Sequence, residues 1–152
     1  MTNSSPVLAR IPQGIELRQQ GRNREARELF EQLWTENGEE AGDPVARCMI
    51  AHSTADAQDD VEAELRWDHI ALDAARAITD EQVAAAGMGS SAAALFPSLH
   101  LNIAECYRKL SDREQARVHL NDARQALGTL PDDDYGTMIR NALDELARNL
   151  DA

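Results

Sequence analysis

Aromatic side chains are scarce in this chain, at 4% of 152 residues, so rings cannot build its core. Leucine, isoleucine and alanine must do that work, which favours helix packed on helix. Cysteine is nearly absent too. Cys48 and Cys106 stand alone inside helical patterns, and no Cys-x-x-Cys occurs. That excludes a disulfide framework or a cysteine-rich zinc module and suggests reduced, packed thiols in a cytoplasmic protein. No apolar run is long enough for a membrane-spanning helix, and no leader-type apolar stretch is present. Nor does any window alternate apolar with polar residues long enough to make a sheet. Positive charge is in short supply, with 15 Lys and Arg against 27 Asp and Glu, for a net charge of −12. Such a surface repels nucleic-acid backbone and anionic membrane, so neither is an expected partner.

What the sequence does have is helical periodicity, repeated. Three stretches follow turn-like dipeptides with a small residue, a large apolar one four positions on, and another apolar one after seven. They are Ala26, Phe30 and Leu33; Ala63, Trp67 and Ile70; and Ala116, Leu120 and Ala123. Those spacings share one helix face. Twelve positions upstream of each alanine lies another small residue, Gly14, Ala51 or Ala104. Leu17, Thr54 and Tyr107 follow three positions later. A helix pair that repeats cannot bury its faces alone and stacks on its neighbours.

This pattern resembles the tetratricopeptide repeat family over roughly residues 7–128, with Thr54 departing from the usual aromatic. The resemblance implies an all-α, right-handed α-α superhelix of about three helix hairpins in a single domain spanning 1–152. The aligned alanines are 37 and 53 residues apart, against about 34 in regular repeats. An insertion is therefore expected over 79–96. Residues 1–5 read as frayed and 134–150 as a capping helix. Met138, Ile139, Leu143 and Leu146 form that helix's covering stripe.

Punctuation supports the helix boundaries. Asp43-Pro44 reads as cap and first helical residue, Thr79 as a cap, and Gly21 and Gly128 as helix stops. Pro12 either kinks the first helix or starts it. Asp59, Asp60 and Asp132 to Asp134 read as cap and first-turn residues rather than calcium ligands, since the glycine and closing glutamate of a calcium loop are missing.

The family's lining positions, carried over, put Leu8, Ile11, Ile15, Arg18 and Gln19 on the concave face from the first hairpin. The second gives Val45, Cys48, His52, Ala55 and Asp56, and the third Ser98, Leu101, Glu105, Arg108 and Lys109. The resemblance thus implies an interaction module holding a peptide or protein segment, with Arg18, His52, Asp56, Leu101, Glu105, Arg108 and Lys109 as binding residues. The alternative is that so short a solenoid closes on itself and the apolar lining is core. The Lys and Asn clamp of chaperone-tail-binding members has no counterpart, because Leu8, Ile11, Ile15 and His52 occupy its positions.

No nucleophile motif and no phosphate-binding glycine loop occurs, so no cofactor and no catalysis are expected. The rival enzymatic reading uses His52 and Asp56, spaced i,i+4, with His100 as a third metal-type ligand. A ligand-sensing regulatory module is a third reading. His69 and His119 fall on second helices of hairpins, at positions expected to face solvent. Trp34 and Trp67 read as inter-helix packing.

Overall fold

The computed structural model describes residues 6–89 and 91–151. The expectation for residues 1–5 lies outside them. Among the described residues there are eight α-helices and no strand: α1 Ile11–Gln19, α2 Asn23–Glu36, α3 Pro44–Asp56, α4 Val61–Arg76, α5 Asp80–Ala85, α6 Phe96–Lys109, α7 Arg113–Gln125 and α8 Asp134–Asp151. Among the described residues, no helix is long and apolar enough to cross a membrane. The chain divides into two compact units, 1–90 and 91–152. The division falls inside the stretch read as an insertion, which holds α5 and a turn with Gly87 and Gly89 at φ +72° and +109°.

Local chemistry sets the helix starts. Pro12 stands in the first turn of α1, where no hydrogen bond is lost, so it begins the helix rather than kinking it. Asp43 caps α3, its carboxylate accepting from Ala46 N at 2.9 Å with Pro44 next. Asp60 and Asp112 cap α4 and α7 in the same way. Thr79 and Gln82 bond reciprocally in a capping box that opens α5. Asp133 accepts from Gly136 N at 2.8 Å at the start of α8.

In the first unit α1 pairs with α2 and α3 with α4, and α3 also packs on α1 and α2. Gly14 lets α1 approach α2 closely: a Cβ there would lie 2.3 Å from a ring carbon of Phe30, which is fully buried. Ala26, Leu33, Ile50 and Ala51 are fully buried too. The hairpin α3/α4 departs from the expected register. Ala63 and Trp67 are only half-buried, and α4 turns Asp68, Ala71, Leu72 and Ala75 inward instead. Thr54, at the position where the resemblance leads one to expect an aromatic, is buried and donates its hydroxyl to Ile50 O at 2.7 Å. That internal bond satisfies the one polar group this substitution brings into the core.

In the second unit α6 pairs with α7, and α8 packs on both. Ala104, Ala116, Leu120 and Ala123 form one core with Ile139, Leu143, Leu146 and Leu150. Ile139, Leu143 and Leu146 are thus buried against α6 and α7. Met138 is 55% exposed and does not join them. Arg113 and Arg117 donate to the carbonyl of Leu150 at 2.9 and 3.0 Å, tying the last turn of α8 to α7.

Candidate functional site

Four of the seven predicted binding residues lie in the second unit. Three of them meet. Leu101, Glu105 and Arg108, spaced i, i+4 and i+7 on α6, share a face and line a cleft of about 390 Å³ whose other wall is α8, through Ala142, Glu145, Leu146 and Asn149. Arg108 donates from both Nε, at 3.0 Å, and Nη2 to one oxygen of Glu105. That hydrogen bond raises the guanidinium pKa above its ordinary value, with desolvation opposing slightly. Two carboxylates, Glu105 and Glu145, and one guanidinium thus line the cleft together with the apolar Leu101, Ala142 and Leu146. Lys109 is exposed at the end of α6 and is not among the lining residues.

The other three lie in the first unit. Arg18 is half-buried in the last turn of α1. His52 and Asp56 meet along α3, with Nε2 3.9 Å from the carboxylate, on the half-exposed side of the helix. Of the apolar lining positions, Ile11, Val45, Cys48 and Ala55 are buried and Leu8 and Ile15 are half-buried, so much of the expected groove wall here is core. Burial, only partly offset by Arg47, pushes the Cys48 thiol up to about 12, which leaves it a packed, inert group.

No family model matches this chain, and neither a curated protein nor a solved structure matches it.

A larger recess, of about 470 Å³, opens in the first unit between α2, α3 and α4. Trp34 and Trp67 meet there edge to face, their ring centres 5.4 Å apart. Arg24, Arg27, Glu28 and Glu31 line it. Arg27 reaches across to the carbonyl of Ala57 and the carboxylate of Asp59, at 3.0 and 3.2 Å. These bonds between elements account for the recess as a packing seam.

Two histidines expected at the surface are not there. His69 is half-buried, and burial lowers its pKa from the usual histidine value. His119 is buried, with its Nδ1 3.0 Å from that of His100. Its position three residues after Ala116 and beside Leu120 carried the signal, since those residues mark the inward face of α7. The cleft residues on α8 were missed for a related reason. Ala142 and Leu146 belong to the apolar stripe of α8, but Glu145 and Asn149 stand beside it, where a reading of apolar period alone passes over them.

Proposed function

We propose that this chain is a tetratricopeptide-like interaction module that holds a segment of a partner protein against the first helices of its hairpins. The supporting observation is the cleft that gathers Leu101, Glu105 and Arg108 against α8. The close approach of α1 to α2 at Gly14 and the buried Ala104 and Ala116 support the hairpin pattern on which the reading depends. Arg18, His52 and Asp56 are candidate contacts of the first unit taken by itself, and Lys109 follows Arg108 at the exposed end of α6.

The chemistry of the cleft names the kind of segment. Its apolar lining accepts a small apolar side chain. Its charge balance favours a cation beside it, because Glu105 already holds Arg108 and Glu145 adds a second carboxylate. The ligand is therefore a segment with a Lys or Arg next to an apolar residue, not a terminal carboxylate.

Partners captured from a cell lysate and identified by mass spectrometry supply the segment, and calorimetry on its synthetic peptide gives the affinity. Glu145→Lys weakens binding about tenfold, or about 1.4 kcal/mol, with unchanged helix content. Equal affinity for wild type and Glu145→Lys at low salt would remove the cleft from the interaction.

A further inference from the structure

The histidine pair in the second unit has a third neighbour. His119 and Asp122 stand i,i+3 on α7, and His100 faces them from α6. One ligand atom from each lies within 4.8 Å of the other two. The His100 and His119 Nδ1 atoms are 3.0 Å apart, and His100 Nδ1 is 4.0 Å from Asp122 Oδ2. The rings are held from outside: Phe96 stacks on His100 with centres 6.3 Å apart, and Tyr107 on His119 at 5.7 Å. His100 and Asp122 also open onto a recess of about 330 Å³ that Gln125 and Thr129 help to line.

We propose that His100, His119 and Asp122 form a binding site for a divalent transition-metal ion, Zn²⁺ being the best match to two imidazoles and one carboxylate. Bonds of about 2.0 Å in a tetrahedral ion set its ligand atoms about 3.3 Å apart. The two Nδ1 atoms need to part by only a few tenths of an ångström to meet that spacing. Asp122 Oδ2, 4.0 Å from His100 Nδ1, must swing inward to reach that spacing, and its side chain is 44% exposed. Without metal, one ring donates Nδ1–H to the lone pair of the other. On binding, the donor ring passes its proton to Nε2, both Nδ1 lone pairs go to the ion, and no net proton is lost from two neutral rings. Three protein ligands leave a fourth position, which faces the recess and takes water or an oxygen of another molecule. That is the arrangement of an open site rather than a closed structural one. One carboxylate leaves the site with a net positive charge in a molecule of net charge −12, so the surrounding field favours the cation.

The proposal uses none of the residues lining the α6–α8 cleft, so either reading can fail without the other. The test is calorimetric titration of the untagged full chain with Zn²⁺, and absorption on titration with Co²⁺. Wild type binds one ion per chain, and Co²⁺ gives the intense visible bands of four-coordination. Asp122→Asn lowers affinity by about tenfold or more, since even losing an outer partner of a metal ligand costs about that much. His119→Gln loses binding, while His52→Ala keeps wild-type affinity. Should His119→Gln not fold, Asp122→Asn decides, because its side chain sits at the mouth of the site. No saturable binding by wild type, wild-type affinity in Asp122→Asn, or loss of binding in His52→Ala would overturn the proposal.

Discussion

The hairpins α1/α2 and α6/α7 turn in the same way, and α3/α4 does not. In the first, Gly21 takes φ +79°, its N–H bonds Arg18 O at 2.9 Å and the next N–H bonds Leu17 O. In the last, Ser111 takes φ +64° with the matching bonds to Arg108 O and Tyr107 O. Each turn sits seven residues after its small residue, Gly14 or Ala104. The α3/α4 connection, 57–60, runs one residue longer and has no left-handed residue. Its second helix consequently starts in a different rotation and offers Ala71 and Ala75 to the interior instead of Ala63. A one-residue change in a turn resets which face of the next helix is buried, because each residue rotates the helix by about 100°.

Five substitutions sharpen or break that comparison. The largest effect belongs to Phe30→Ala, which removes the ring that fills the space left by Gly14 and should cost about 3–5 kcal/mol in urea unfolding. A much smaller loss would mean that the close approach of α1 and α2 is not what holds the first hairpin. Ala116→Leu follows, overpacking a fully buried position by about 1–3 kcal/mol in the same assay. The turns come next. Gly21→Ala should lose about 1 kcal/mol in thermal unfolding and Ser111→Gly should gain up to about that much, because a left-handed residue with a Cβ is penalised. No side chain crowds Gly21, so its cost is purely conformational. Opposite signs at the two sites test the likeness of the turns directly. The smallest effect is Ala63→Leu, expected within about 0.5 kcal/mol of wild type at its half-exposed position. A cost equal to that of Ala116→Leu would erase the distinction between the hairpins.

Much of the helical order was legible from punctuation. Asp43-Pro44, Thr79 with Gln82, and Gly21 act locally, so a short window of sequence contains their whole cause. The failures are rotational. Ala63 matched a spacing but not the helix phase set by the preceding turn. Met138 adjoins Ile139, yet the buried line of α8 runs through Ile139, Leu143, Leu146 and Leu150, which leaves Met138 about 100° away. His119 shows the converse, a polar residue read by its type rather than by its phase. Of the candidate site, the α6 positions followed from the register. The wall opposite could not be read, because a pattern within one helix does not say which neighbour will face it.

The last turn of a terminal helix ordinarily opens most readily to solvent, since its carbonyls lack partners along the chain. Here two guanidinium groups from α7 grip the carbonyl of Leu150, at the end of the helix where the peptide dipoles leave a partial negative charge. Deuterium uptake by the amides of residues 146–151 should therefore lag behind that of an untethered helix end, and Arg113 with Arg117 becomes a clasp whose release would be felt as faster exchange before any loss of overall fold.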